Sequence, residues 1–367
     1  MKKYDYLIVG AGLFGAAFAQ IMTERGKKCL VVEKREAVGG NIATEEIEGI
    51  TVHKYGAHIF HTDDKRVWNY VNRFAEFNNF VNSPIANYKG KLYNLPFNMH
   101  TFYQLWGCKT PAEAHAVIDA QRAAAGIVVP KNLEEKALMS VGEDVYKTLI
   151  KGYTEKQWGR DCKLLPAFII GRVPLRFVYD NNYFNDRYQG IPIGGYSQMI
   201  DKMLDGVDVM LGVDYFADRA RLDGMAMTTL YTGPIDKFFD YEYGELEYRS
   251  LQFETEVLDA EDYQGNAVFN FTDSETPYTR IIEHKHFDRT QKSNKTVITR
   301  EYPAKFEKGG EPYYPINDEK NSALYSKYAV KAGKTPHTLF GGRLAGYKYF
   351  DMDDTVAAVF ELTDKIK

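Results

Sequence analysis

Residues 4–41 read YDYLIVGAGLFGAAFAQIMTERGKKCLVVEKREAVGGN. Residues 4–9 form an apolar run of strand length. Residues 13–25 have helical character and stop at Gly26, and residues 28–33 (KCLVVE) are a second apolar strand. Strand, turn, helix and strand make the opening of a βαβ unit. The turn carries Gly10, Gly12 and Gly15 in G-x-G-x-x-G spacing. The first glycine permits the tight turn, the second lets backbone approach a pyrophosphate, and the third lets the helix pack on the strand. Helix N-terminal amides then face the phosphates. Glu33 ends the second strand roughly 20 residues after Gly10, where a carboxylate can hold ribose hydroxyls. The competing reading is a glycine-rich turn beside a surface glutamate. Lys2 and Lys3 ahead of an apolar run also resemble a secretion signal, but Asp5 and the three spaced glycines favour the buried strand, turn and helix.

The whole chain has 367 residues, enough for two or three domains. Its 46 basic and 50 acidic residues leave a net charge of -4, which argues against a polybasic nucleic-acid or membrane-surface protein. A polyanionic ligand must therefore be held by local arginines and helix ends. Cys29, Cys108 and Cys162 are far apart and form no CxxC, which argues against a disulfide framework or zinc site and fits a reducing cytoplasm. Beyond the N-terminal run, no segment reaches the length of a membrane span. Tyrosine, at 27, outnumbers leucine, and phenolic groups suit sugars and phosphates as well as packing.

From about 99 to 165 the pattern is helical. Thr110-Pro111-Ala112-Glu113 is a capping box with proline at the first helical position, and Asn132 and Glu135 repeat the logic. A third helical segment runs through VYKTLI toward Trp158. Between about 246 and 302 the period changes to two, with strands predicted at Arg249–Val257, Ala267–Thr272, Thr279–His284 and Thr296–Tyr302, in an antiparallel sheet. The C-terminal stretch LFGGRLAGYKYFDMDD reads as strand, glycine turn and helix, which should pack beside the N-terminal unit.

Several motifs remain. Gly39-Gly40-Asn41, soon after Glu33, resembles the second close-approach loop of the FAD-binding family that includes amine oxidases. Pro192-Ile193-Gly194-Gly195-Tyr196 and Gly341-Gly342-Arg343 read as further parts of the same cofactor site. His58 and His61, in GAHIFH, lack an acidic partner motif, so a flavin-facing loop is favoured over a metal pair. Lys151–Gly159 (KGYTEKQWG) combines aromatic faces with amide groups, which suits stacking on a nucleobase; an amphipathic helix end is the alternative. Arg172, Arg249 and Arg280 sit among apolar or strand residues, where a guanidinium needs an anionic partner such as phosphate.

Taken in order, GAGLFGA, EKREAVGGN, HKYGAHIFHT, GYTEKQWG, YTGPIDKFFD, YTRIIEHKHF, EPYYPIN and GGRLAGYKYFDMD resemble the bacterial UDP-galactopyranose mutases over essentially the whole chain. The resemblance implies an α/β fold: a discontinuous Rossmann-like FAD-binding domain (1–78, 188–232 and 310–367), an inserted helical domain (99–170) and an antiparallel β-sheet substrate domain (79–98, 171–187 and 233–309). It implies an isomerase that interconverts UDP-galactopyranose and UDP-galactofuranose for cell-surface glycans. In that family reduced FAD attacks the anomeric carbon through N5, UDP leaves and returns, and there is no net redox change.

Carried over by position, Tyr153, Thr154, Gln157 and Trp158 correspond to the uridine-binding segment. Arg172 and Arg280 correspond to the diphosphate arginines, with Arg280 nearest the chemistry. Tyr183, Tyr314 and Tyr349 correspond to phosphate-contacting tyrosines, Asn82 and Asn270 to polar substrate contacts, and Arg249 to a basic position at the cleft edge. His61, Arg343 and Asp351 fall where the family places groups near flavin and sugar. Arg280, Arg172, His61 and Arg343 form the expected catalytic set. The implied cofactor contacts are Gly10, Gly12, Leu13, Phe14, Gly15, Glu33, Lys34, Gly40, Asn41, His58, Ile59, Val213, Gly342, Arg343, Tyr349, Asp351 and Met352. No metal is expected. Leu149-Ile150 stand where some relatives carry aromatics, which bears on packing around the base.

No nucleophile elbow, Cys–His signature or paired-carboxylate motif is present, so the reactive group is expected to be the cofactor. The stretch 161–180 around Arg172 is the candidate lid. The resemblance further implies an external electron donor, a homodimer and a cytoplasmic location, with no nucleic-acid or membrane partner. Alternatives are a flavin oxidoreductase of amine-oxidase type, a non-catalytic UDP-sugar or FAD sensor, and a mutase that also accepts UDP-N-acetylgalactosamine.

Overall fold

A computed structural model describes residues 2–170 and 175–366. The N-terminal apolar runs form a five-stranded parallel sheet in the order Thr338–Phe340, Ala226–Tyr231, Tyr4–Val9, Cys29–Val32, Asp208–Met210. Tyr4–Val9 is central, which accounts for its continuous apolar character: it is covered on both faces. The helix Leu13–Glu24 follows it and packs on the C-terminal helix Met352–Asp364, so the two chain ends share one core with Phe14, Phe18, Val356 and Phe360. Ligands of such sheets bind beyond the carboxyl ends of the strands.

A seven-stranded sheet stands beside it, in the order Tyr314–Pro315, Tyr248–Leu258, Thr296–Lys305, Arg280–Glu283, Val268–Phe271, Ile85–Tyr88, Lys91–Asn94. The sequence predicts an antiparallel sheet; the observed one is mixed, because Val268–Phe271 pairs with Ile85–Tyr88 in parallel. These two strands lie far apart in the chain, so no hairpin sets their relative direction. Tyr314–Pro315 joins this sheet although the range 310–367 is assigned to the dinucleotide unit from sequence.

The helical insert contains Met99–Trp106, Pro111–Ala125, Leu133–Val141 and Gly152–Trp158. Thr110 and Glu113 make the expected reciprocal capping box, and Asn132 accepts from the Glu135 amide. The third helical segment is not uniform: Tyr146–Lys151 is a π-helical turn that leads into Gly152–Trp158. Such turns recur at functional sites. Leu133, Val141, Val145 and Tyr146 pack on Ala86, Tyr93 and Leu95, fixing the insert to the large sheet. Finally, Phe60–Thr62 pairs antiparallel with Tyr188–Gly190, so His61 stands opposite Gln189. No described helix is long and apolar enough to cross a membrane.

Candidate active site

The three glycines behave as their spacing requires, each differently. Gly10 has φ +109°, and a Cβ there would lie 2.3 Å from Thr232 Oγ1. A Cβ on Gly15 would lie 2.0 Å from the Gly10 carbonyl, so helix and strand touch there. A Cβ on Gly12 would meet only Gly40 Cα, at 3.8 Å, and so project into the cavity. That cavity, about 600 Å³, is lined by Gly10, Gly12, Leu13, Phe14, Gly15, Glu33, Lys34, Gly40, Asn41, His58, Val213, Gly342, Arg343 and Met352. Glu33 is buried and accepts from the Ala11 and Arg35 amides, which anchors the carboxylate at the ribose end. Arg35 Nη1 is buried without a hydrogen-bond partner among the described residues, an orphan donor suited to a phosphate. The residues fit FAD: a glycine cradle, an anchored carboxylate and an unspent guanidinium donor.

Three expected cofactor residues lie farther along the same cleft. Ile59, Tyr349 and Asp351 line the neighbouring cavity, not this one. Gly194-Gly195 lines none of the three main cavities. A Cβ on Gly195 would lie 2.4 Å from Thr44 Oγ1, so that glycine serves close packing on the Thr44–Ile47 hairpin. Tyr196 does support the site from behind, donating to the His58 carbonyl at 3.1 Å.

The dinucleotide cavity opens into an inner cavity of about 890 Å³, and Asn41, His58, Arg343 and Met352 line both. The inner cavity also takes Ile59, His61, Asn82, Tyr153, Thr154, Tyr183, Asn270, Arg280, Tyr314, Tyr349 and Asp351. Tyr153, Arg280, Tyr314 and Tyr349 continue into an outer cavity of about 750 Å³ with Gln157, Trp158 and Arg249. Every described residue expected in substrate binding therefore faces one continuous cleft. Arg172 lies outside the described residues, as does the centre of the candidate lid.

Arg280 donates from Nε and Nη2 to Tyr153 Oη at 3.1 and 3.0 Å, and Nε lies 3.6 Å from Glu301. Burial opposes its charge, yet Glu301 and Tyr153 hold the guanidinium protonated well above its ordinary range. Tyr314 and Tyr349 stack at 6.1 Å, and Arg343 lies over Tyr349 while donating to the Tyr313 and Phe350 carbonyls. Desolvation within the cleft pushes the Tyr349 phenol up to about 12 although the residue is 48% exposed, so at neutral pH it keeps its proton and can donate a hydrogen bond. Among the described residues, Gln157 Oε1 and Asn270 Oδ1 are buried without hydrogen-bond partners, two acceptors on residues that line the cleft. Arg249 Nε donates to the Gln157 carbonyl at 2.9 Å.

The two histidines differ. His58 Nδ1 lies 2.8 Å from the Gly56 carbonyl, which makes it the donor and leaves Nε2 as an acceptor. Burial, with Arg343 and Arg280 nearby, lowers its pKa to about 4, so the ring is neutral. His61 stacks on Phe184 at 3.7 Å, and its Nδ1 pairs with Asp186 at 3.0 Å.

Sequence reasoning missed Arg35, Asp186 and Glu301. Arg35 lies within EKREAVGGN, which assigns it no role; Asp186 reaches the site through pairing of strands distant in the chain, and Glu301 through the register of two consecutive strands. The one described group able to gather three metal-ligand atoms is Asp262, Glu283 and His286. Glu283 already accepts from the Tyr263 and Gln264 amides and the Thr296 hydroxyl, so this group reads as a structural ion pair outside the cleft.

The profile of the UDP-galactopyranose mutase family matches residues 148–349, more than half the chain. The chain belongs to the UDP-galactopyranose mutase family. A Rossmann-like dinucleotide-binding profile matches residues 8–74. A probable UDP-galactopyranose mutase of Klebsiella pneumoniae is 40% identical, the match covering 100% of this chain and 95% of that one. A dTDP-fucopyranose mutase of Escherichia coli is 39% identical, covering 97% and 96%. Among solved structures, reduced UDP-galactopyranose mutase superposes with a TM-score of 0.77 over 100% of this chain and 94% of that one; at 14% identity this speaks for the fold. A putative protoporphyrinogen oxidase from Exiguobacterium superposes with a TM-score of 0.66 at 13% identity, which again speaks for the fold. As an enzyme of the mutase family, the protein uses FAD.

Proposed function

We propose that the protein interconverts the pyranose and furanose forms of a nucleoside-diphosphate hexose, with UDP-galactose as substrate. The observation that carries this reading is the continuity of the cleft. A nucleotide-sized outer cavity with Trp158 and Arg249 runs past Arg280, Tyr314 and Tyr349 to the opening of the FAD cavity at His58 and Arg343. A substrate laid along it has its base outermost, its diphosphate at Arg280 and its sugar at the cofactor.

When bound and reduced, FAD supplies the nucleophile for the anomeric carbon. The chain's own residues do the rest. Arg280, with Arg172 as its proposed partner, stabilises charge on the departing diphosphate, and Tyr349 and Tyr314 donate phenolic protons to it. Tyr153 and Trp158 hold the base, so the nucleotide is retained until it is needed again. Asn82, Asn270, His61 and Asp351 orient the sugar hydroxyls, and Tyr183 closes the phosphate side. Neutral His58 and fixed Arg343 line the junction with the cofactor.

A second reading has one specific support. The E. coli relative, 39% identical over nearly the whole of both chains, is named for a dTDP-fucopyranose. Separate incubations with UDP-galactofuranose and dTDP-fucofuranose, followed by chromatography, decide between the two. Conversion of neither by flavin-loaded, reduced protein would refute the mutase reading. Reduction by an external donor, a cytoplasmic location (in keeping with three buried free thiols) and a homodimer complete the proposal.

A further inference from the structure

Arg280 is held by a partner that none of the sequence motifs marks. Arg280–Glu283 and Thr296–Lys305 are adjacent antiparallel strands, and their register sets Arg280 directly opposite Glu301. Directly opposed residues of such a pair have Cβ atoms only about 5 Å apart, so the two side chains share one face. Glu301 is 1% exposed, and its Oε1 lies 3.6 Å from Arg280 Nε. The Thr279 hydroxyl lies 3.3 Å from the same oxygen. The other oxygen lies against the turn that precedes His58: a Cβ on Gly56 would be 3.3 Å from Oε2. Among the described residues, the hydrogen bonds of the guanidinium involve Nε and Nη2 alone, which leaves Nη1 for the cleft.

A buried carboxylate in this place needs a reason, because an unpaired one costs several kcal/mol. Packing alone does not supply it, since an apolar residue would fill the same ladder position. We infer that Glu301 is the positioning residue for Arg280: from across the ladder it fixes the Nε edge, turns Nη1 toward the diphosphate, and balances the guanidinium charge when the cleft is empty. This rests on the reading of Arg280 as the group at the diphosphate. Glu301 touches no substrate itself; it acts through the arginine.

The test is a double-mutant cycle on the flavin-loaded, reduced protein with Glu301→Gln, Arg280→Ala and the double variant. Turnover, KM and the affinity for UDP and for dTDP are read for each. The inference predicts that Glu301→Gln lowers kcat at least tenfold with KM changed less than threefold and flavin content unchanged. In the Arg280→Ala background the same substitution should change turnover and nucleotide affinity by less than twofold, because the residue it acts through is gone. It should also raise the melting temperature of Arg280→Ala, by removing a carboxylate left buried and unpaired. A purely structural role would instead lower stability in both backgrounds. Additive losses, or near-normal kcat in Glu301→Gln, would overturn the inference. If Glu301→Gln fails to fold, Glu301→Asp, which retracts the charge by one methylene, is carried through the same cycle. Absence of turnover in the unmutated protein would count against the mutase reading; an active protein with an additive cycle counts against Glu301 alone.

Discussion

Gly152 opens the helix proposed to hold the base, and it packs where no side chain fits. A Cβ there would lie 2.5 Å from the Thr272 carbonyl oxygen, 2.8 Å from Asp273 C and 2.9 Å from Ser274 N, all backbone atoms. Ordinary contact begins at 3.4 Å, so Gly152→Ala must push the helix and the 272–274 loop apart by about 1 Å. The two are also tied by Lys156, whose Nζ donates to the Phe271, Thr276 and Tyr278 carbonyls at 2.8, 3.0 and 3.0 Å. Burial lowers that ammonium to about 8, so it depends on these three acceptors. The helix also carries Tyr153, the partner of Arg280, so a shift there reaches the proposed diphosphate site. Overpacking of this kind costs about 1–3 kcal/mol, and a displacement of about 1 Å at a positioning element can cost about 100-fold in rate. We expect Gly152→Ala to keep its FAD, lose about 2 kcal/mol in urea denaturation, bind UDP about tenfold more weakly in calorimetry, and lose about 100-fold in kcat/KM. Gly224→Ala, at a helical position with nothing within 4 Å, is the control: it should leave FAD, UDP affinity and kcat/KM unchanged and gain up to about 1 kcal/mol in stability. A folded Gly152→Ala variant with nucleotide affinity within twofold of the parent would refute the claim that this close approach sets the base site.

Three further outcomes follow from the same geometry. Gly12→Val should purify without flavin, read from its visible absorbance, because its side chain enters the space left for the pyrophosphate; a fully loaded variant would contradict that assignment. Arg280→Ala should keep FAD and lose about 100- to 1000-fold in kcat, the scale of one lost oxyanion donor, whereas near-normal turnover would remove Arg280 from the mechanism. His58 and His284 are held neutral mainly by burial, with pKa values of about 4 and about 3, against roughly 6.5 in the unfolded chain. Their contribution to stability is complete above pH 6.5 and is lost as pH falls toward those lower values, since the unfolded state then binds more protons. Each should therefore remove about 2 kcal/mol between pH 6.5 and 5, visible in urea titrations, and a flat profile there would contradict their burial.

The dinucleotide unit was legible because local rules govern it. Glycine spacing, strand length and Glu33 all act within one βαβ, and the capping box at Thr110 and the Asn132 cap are equally local. The substrate cleft was legible through resemblance, which marked Tyr153, Arg280 and Tyr349 one position at a time. What escaped depends on register or long-range pairing. The parallel pairing of Val268–Phe271 with Ile85–Tyr88 joins segments nearly two hundred residues apart. Glu301 faces Arg280 only once two strands align, and Asp186 reaches His61 across 125 residues. Gly194-Gly195 misled because a glycine pair signals close approach without saying to what; here Gly195 abuts Thr44 rather than a cofactor.

The measurement that bears most directly on the account is anaerobic conversion of UDP-galactofuranose, with dTDP-fucofuranose in parallel, by flavin-loaded protein that is either oxidised or dithionite-reduced. The account predicts pyranose product only in the reduced sample, with the flavin spectrum still that of the reduced form after many turnovers. Equal conversion by oxidised protein, or stoichiometric flavin oxidation alongside product, would contradict it.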